Sequence, residues 1–481
     1  MRSSQASENV GSMSELLDRL CMMQENDLGN ASRFVERYGS RVLYVDQFGW
    51  FVWNGKRWKS DPTEKAVRKL AHKTAKAIFD ESKLVEEPLK RTKFAIRSGH
   101  SPRITAMQRE TRGDLERSVE ELDRDPWLLN VENGTLDLRT GKLGKHKQDD
   151  LITKLAPIKF DLEAKHDQLD QFFERIMPDE ELREFIQRFS GYTMTGDTGE
   201  QCLVFSHGMG ANGKTTLQEL LSRILGDYAT VLPFTSLLHN DRHQGGTASP
   251  DLARLVGARM VCTSEPDINT RFSEALLKQL TGGDTIAARK LHKDFFEFKA
   301  KFKLWLTGNH KPNIKGNDEG IWRRIKLVPF NETIPEEERD AELPEKLWND
   351  RSGILNWMIA GCLAWQKTGL QTPAAVTDAT KEYRRENDPI GDFFEDCIVE
   401  DHKGQVSSAR LRERYEAYCI DNGLQSVSQK AFAQILRERG YENDKIGGLK
   451  YWMGFRLLDI EPSMVHSEYA HDTNSLQRKG Y

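Results

Sequence analysis

Gly208-Met209-Gly210-Ala211-Asn212-Gly213-Lys214-Thr215 is the stretch on which the fold of this chain turns. It matches G-x-x-x-x-G-K-[ST] at every constrained position. Cys202-Leu203-Val204-Phe205 stands before it and reads as a buried parallel strand. Leu217, Leu220, Leu221 and Ile224 follow at helical spacing, and Gly226 stops the run. Strand, glycine loop and helix make a cradle for phosphates. Gly208, Gly210, Ala211, Asn212 and Gly213 supply inward-turned backbone N–H groups, and the helix N-terminus adds a partial positive charge. Lys214 can reach the outer phosphates and the Thr215 hydroxyl can ligate Mg²⁺, with Thr216 beside it in the same turn. The expected cofactors are ATP and Mg²⁺.

Working outward, hydrolysis needs a carboxylate at the end of a neighbouring strand. Arg259 to Glu265 reads as an apolar strand ending in Glu265, placed to polarise water and help hold the metal. Ser264 precedes it where many ATPases carry Asp, which weakens the case for direct ligation by an acidic pair. A third strand, Lys303 to Thr307, ends in Gly308-Asn309. Asn309 there suits either a hydrogen bond to the attacking water or γ-phosphate, or a plain Gly-Asn turn. Arg323-Arg324 stands just before the strand Lys326 to Phe330. An arginine so placed can offset charge on a phosphoryl group bound by an adjacent subunit, although on these residues alone a surface ion pair is the simpler reading.

Between 286 and 315 eight cations stand against Asp294 and Glu297, in a chain whose formal net charge is -4. Phe296, Phe298, Phe302 and Leu304 alternate with Lys299, Lys301 and Lys303, which predicts a strand with a solvent-facing lysine face. The preceding Lys290-Leu291-His292-Lys293 reads as a hairpin tip, with Lys290, His292 and Lys293 contacting phosphates without regard to sequence. Near the C-terminus, helices are expected over Ser407–Asn422 and Ser428–Gly440, followed by a two-stranded wing around Gly447-Gly448. Helix, helix, wing suggests a winged helix-turn-helix, with Lys430 and Arg437 as its DNA-facing cations. Such modules also serve as protein contacts.

At 481 residues the chain predicts about three domains. Ten Trp, twenty-two Phe and eleven Tyr argue against long disorder. No apolar run is long enough for a membrane span, and the first residues carry no signal-peptide core. The six cysteines are scattered, so reduced cytosolic thiols without a zinc site are expected. Trp50 to Trp58 reads as a hairpin turning at Asn54-Gly55. The expected organisation is a small α+β module over 1–160, a helical linker over 161–200, the P-loop core with a helical extension over 201–388, the winged domain over 389–460 and a polar tail over 461–481.

Taken together, these residues resemble the superfamily III helicases, and in particular the phage and plasmid primase-helicase branch that includes the poxvirus-type helicase. Asn26 to Asn30 and the Trp50–Trp58 hairpin are similar to that branch's N-terminal helicase-associated domain. Leu280-Thr281-Gly282-Gly283-Asp284 with Phe295-Phe296-Glu297-Phe298 resembles its pore-hairpin motif, Thr307 to Pro312 its polar sensor and Trp322-Arg323-Arg324 its finger. The resemblance implies an α/β fold: an AAA+-like P-loop ATPase core with a small N-terminal α+β helicase-associated domain and a C-terminal winged-helix domain. It implies a ring, usually hexameric, moving 3′ to 5′ on single-stranded or forked DNA in the cytoplasm of a host cell. It raises Asn309 to sensor and Arg323 to finger, with Arg324 as the alternative. Lys278 also fits the pattern, without a physical role that we can assign. No Asp-x-Asp strand end suited to nucleotidyl transfer is evident, so primer synthesis is expected from a separate primase or polymerase. Two other readings stay open: an initiator or loader that assembles on origin DNA without processive unwinding, and a P-loop kinase, against which the cationic window speaks.

Overall fold

The computed structural model describes residues 14–238, 250–263, 270–291, 293–314 and 319–458. It divides into two compact units, Met1–Asn313 with Arg323–Thr380, and Ile314–Trp322 with Lys381–Tyr481.

The first unit is built on one parallel sheet. Its strands are β1 (Leu203–His207), β2 (Ala229–Val231), β3 (Met260–Thr263), β4 (Lys303–Gly308) and β5 (Ile325–Pro329), in the spatial order β5-β1-β4-β3-β2. Every neighbouring pair is parallel. The interior strands β3 and β4 are buried at all positions, because a parallel sheet covered on both faces leaves none for water. The edge strand β2 is short and half-exposed. Helix Lys214–Leu225 follows β1 and ends at Gly226, whose φ is +53°. Its Leu217, Leu221 and Ile224 enter a core shared with Phe172, Phe185, Phe189 and Trp305. The three-stranded sheet Leu128–Val131, Gly134–Asp137 and Lys142–Gly144 contributes Leu129, Val131 and Leu136 to that same core.

A separate core lies N-terminal to this. Phe34, Val42, Trp50, Val67, Ala71 and Ile104 pack there beneath the antiparallel sheet Val42–Val45, Gly49–Trp53 and Trp58–Ser60. Gly55 turns the second hairpin at φ +96°, and Asn54 Oδ1 accepts from the Lys56 and Arg57 amides.

Two buried cations pin the lower edge of the parallel sheet. Arg259, just before β3, donates to the carbonyls of Pro126, Met194, Asp125 and Leu128 at 2.6–3.3 Å. Lys303, at the start of β4, is 2% exposed, and its Nζ donates to the Thr195 carbonyl at 2.6 Å and the Asp197 carbonyl at 2.8 Å. Burial drives the Lys303 pKa well below its ordinary value and lowers that of Arg259. The expected solvent-facing lysine face therefore fails at Lys303. The chain also leaves strand geometry between Lys299 and Lys303, so Phe295–Lys299 and β4 belong to different sheets. Arg259→Ala is expected to lower stability by roughly 3 kcal/mol or more, since it strands buried carbonyls that now share a charged donor. A drop in urea midpoint measures this; an unchanged midpoint would mean that water replaces the guanidinium at no cost.

The second unit pairs Ile398–Ser407 with Leu449–Leu457, and the latter with Asn443–Ile446, all antiparallel. Helices Ser408–Asp421 and Gln429–Glu438 precede the Gly447-Gly448 hairpin. Ser407 and Ser428 cap them through side-chain oxygens, and Phe393, Tyr415, Phe432, Trp452 and Phe455 form the core. Within this unit, Arg384 pairs with Glu319 at 2.8 Å and Trp322 meets Tyr383 edge-on. All six cysteines are free, and burial pushes the thiols of Cys202 and Cys262 up to about 12. Among the described residues no helix is long and apolar enough to cross a membrane.

Candidate nucleotide and nucleic-acid sites

The glycine loop leaves β1 at the carboxyl edge of the sheet, where open parallel sheets take their ligands. A Cβ on Gly208 would lie 2.3 Å from both Asn212 Nδ2 and the Phe330 carbonyl. One on Gly213, at φ +80°, would lie 2.8 Å from Ile176. The loop therefore depends on bare glycine at both ends, while Gly210 and Ala211 turn its tip at positive φ. Asn212 is buried and fastens the loop to the end of β5 by donating to the Phe330 carbonyl at 3.0 Å. Thr215 is exposed and Thr216 half-buried in the first helical turn.

Lys214 is 4% exposed. Its Nζ donates to the Gly208 carbonyl at 2.7 Å, to Asn212 Oδ1 at 2.8 Å and to Asn309 Oδ1 at 3.2 Å. Residues 95 positions apart thus converge on one ammonium group. The reason is sheet register: Gly308 pairs with His207, so the residue after β4 stands beside the loop after β1. Thr307 reinforces this by donating to Gln218 on the helix that follows the loop. The site has the donor set for a triphosphate: a bared loop backbone, a helix N-terminus and a positioned ammonium. Glu265, expected at the end of β3, lies outside the described residues, as does Ser264.

The arginine pair lies at the other edge of the sheet. Leu203 N donates to the Arg324 carbonyl at 2.8 Å, and both Arg323 and Arg324 donate to Gln201 Oε1, at 3.2 and 3.4 Å. Arg324 is 8% exposed, whereas Arg323 is exposed. From Gln201 to Gly208 the chain runs the length of β1, roughly 20 Å at about 3.3 Å per residue. Neither arginine can reach the phosphate loop of its own chain.

Strands Thr285–Arg289 and Phe295–Lys299 pair as a two-stranded hairpin. Lys293 is exposed at its tip, and His292 lies outside the described residues. Lys290 is not free at that tip. Its Nζ lies 3.5 Å from the centre of the Phe48 ring and donates to the Gln47 carbonyl at 3.3 Å. Phe48 also meets Phe296 edge-on at 5.1 Å. Lys301 Nζ, expected to face solvent, donates to the Asp123 carbonyl at 2.9 Å. In the second unit Lys430 and Arg437 are both exposed on helix Gln429–Glu438, two turns apart, and Arg437 lies over the Trp452 ring at 5.9 Å. Lys278 sits in the last turn of helix Glu274–Thr281.

Three family descriptions match along the chain: "D5 N terminal like" over residues 31–187, "Family of unknown function (DUF5906)" over 206–324 and "Poxvirus D5 protein-like" over 385–453. "Putative helicase L207/L206" of Acanthamoeba polyphaga mimivirus is 33% identical over 300 residues, covering 58% of this chain and 31% of that protein. These matches support a poxvirus D5-like primase-helicase family. "Putative helicase 022R" of Frog virus 3 is 31% identical over 286 residues, covering 55% of this chain and 29% of that protein. The chain thus spans about a third of the length of these relatives. Of solved structures, the A form apo structure of the NrS-1 C terminal region matches with 13% identity and a TM-score of 0.39, covering 65% of this chain and 87% of that chain.

Proposed function

We propose that this chain is an ATP-driven DNA helicase of a phage or other mobile genetic element, working as a ring, on the hexameric pattern, around single-stranded DNA. The observation that carries the reading is the separation of Arg323 from the phosphate loop. An exposed arginine one strand-length from its own nucleotide site completes that site only in a neighbouring copy. The D5-like matches and the helicase descriptions of the relatives from mimivirus and Frog virus 3 support the same activity.

In this reading the loop N–H groups and Lys214 would hold the triphosphate, and Thr215 with Glu265 would hold Mg²⁺, which would neutralise charge on the phosphate oxygens. Glu265 polarises the attacking water. Asn309 fixes the Lys214 ammonium and faces the same phosphate end. Arg323 comes from the adjacent subunit. Lys293 at the hairpin tip contacts phosphates of the strand, and Lys290, held on Phe48, sets the angle of the hairpin base. The second unit is assigned as a winged helix whose Lys430 and Arg437 touch DNA.

The exposed pair Lys430 and Arg437 also favours the initiator or loader reading, in which ATP drives assembly on origin DNA. Strand displacement on a fluorescent fork separates the two. The motor reading expects ATP-dependent unwinding with a 3′ single-stranded tail; ATP-dependent binding without displacement would establish the loader in its place.

A further inference from the structure

A cleft of about 720 Å³ lies between the N-terminal three-stranded sheet and the base of the 285–299 hairpin. Arg57, Lys59, Lys154, Lys290, Lys299 and Lys301 line it, and Arg124 stands at its rim. Against these seven cations the wall holds three carboxylates, Glu120, Asp123 and Asp227. Asp227 is taken by Arg57. Asp123 accepts from the Thr153 amide at 2.8 Å and from the Thr153 hydroxyl at 2.5 Å. Among the described residues, no cation of the cleft other than Arg57 is ion-paired.

Lys290 and Lys301 instead point their ammonium groups at main-chain carbonyls. Burial lowers the pKa of Lys290, Lys301 and Lys154, and for Lys290 the neighbouring Lys293 charge adds to it. Asp123 offsets part of this for Lys301 and Lys154, but three carboxylates do not balance seven cations around a half-buried space, where each cation loses hydration and repels the rest. An anion is the missing term.

The shape of the space decides which anion. A second cavity of about 550 Å³ shares Phe48, Lys154, Val256 and Lys290 with the first and adds Arg254 and Leu291. The two meet around Lys154 and Lys290, and the second continues past Thr230, Pro250, Ala253 and Arg254, with Leu291 at the hairpin end. Such an elongated path suits a chain of phosphates better than a compact ligand.

We propose that this cleft holds the sugar–phosphate backbone of single-stranded DNA as it approaches or leaves the hairpin tip. The inference rests on the helicase reading and adds to it a second contact surface, built jointly by the N-terminal sheet and the hairpin base. Phosphates lie against Lys59, Lys154 and Lys299, and the apolar floor of Phe51 and Phe298 meets sugar edges.

The test measures binding of a fluorescent oligothymidylate of about thirty nucleotides to the full chain across a salt series. Lys59 and Lys299 are exposed, so the double variant Lys59→Glu, Lys299→Glu keeps the fold, which a melting curve checks. Its affinity is expected to fall at least about tenfold, and its salt slope to flatten by roughly 1.4, the value for two lost phosphate contacts on a single strand. A 4-thiothymidine oligomer is expected to cross-link to peptides spanning 48–60 or 295–301. Unchanged affinity and slope, or cross-links confined to 290–294, would overturn the cleft. So would displacement of the oligomer by dTMP at equal phosphate concentration, which would make the space a mononucleotide pocket. Lys293→Ala keeps the two readings apart. If that variant loses affinity while the double variant matches the parent, the cleft falls and the motor stands. If the parent itself binds no oligomer in any nucleotide state, the helicase reading falls and the cleft with it.

Discussion

Mixing Arg323→Ala with Lys214→Ala protein is expected to restore ATP hydrolysis that neither variant performs alone. Arg323→Ala by itself should lose turnover by about a thousandfold or more, the range for an arginine acting on transferred phosphoryl charge. Nucleotide affinity should change little, because the guanidinium lies a strand-length from the loop of its own chain. In a mixed assembly, a Lys214→Ala subunit offers an intact Arg323 to an Arg323→Ala neighbour whose loop is intact. That seam is complete. If the arginine served its own chain, every subunit in the mixture would still be broken and turnover would stay at the floor. Flat activity at all mixing ratios would remove the shared site, and with it the ring. If Arg323→Ala alone turns over normally while Arg324→Ala does not, the finger is the buried member of the pair.

Lys214→Ala is expected to abolish hydrolysis on its own, by at least about a hundredfold, the cost of removing one preorganised donor from a reacting phosphate. The loss has a structural part. Lys214 ties Gly208, Asn212 and Asn309 together, so its removal releases the loop from the end of β4 as well as removing a charge. Lys214→Arg separates the two effects. It keeps the charge, but a planar fork does not fit three oxygens arranged around one nitrogen. Turnover near the parent level in Lys214→Ala would remove the phosphate-cradle assignment altogether.

Much of the candidate nucleotide site was legible because it is local. The loop, the strand before it and the helix after it are fixed by spacing within a couple of dozen residues, and glycine is demanded where a Cβ would collide. The meeting of Lys214 with Asn309 was not legible from spacing, since it depends on β4 lying beside β1, a pairing between distant segments. β2 escaped notice because three half-exposed residues at a sheet edge carry no usable pattern. The lysine face went wrong for a different reason. A period of two separates apolar from polar positions, but it cannot tell a hydrated lysine from one such as Lys303, whose stem and ammonium are both enclosed. Likewise no reading of 286–299 could place Lys290 on Phe48, whose neighbour Gln47 lies 243 positions away. Adjacent arginines before a strand cannot be ranked by sequence either; the register buries Arg324 and leaves Arg323 outside.

β4 has a mechanical meaning as well as a topological one. One of its ends emerges beside the loop as Asn309, and the other follows within a few residues of Lys299, where the hairpin returns. An extended strand hardly stretches, so it fixes the distance between the loop and the hairpin base. Lys303, clamped in its cage of carbonyls, anchors the hairpin-side end of that strand. Because β4 is bonded to β1 along one side and to β3 along the other, a displacement at Asn309 is shared with both neighbours before it reaches the hairpin.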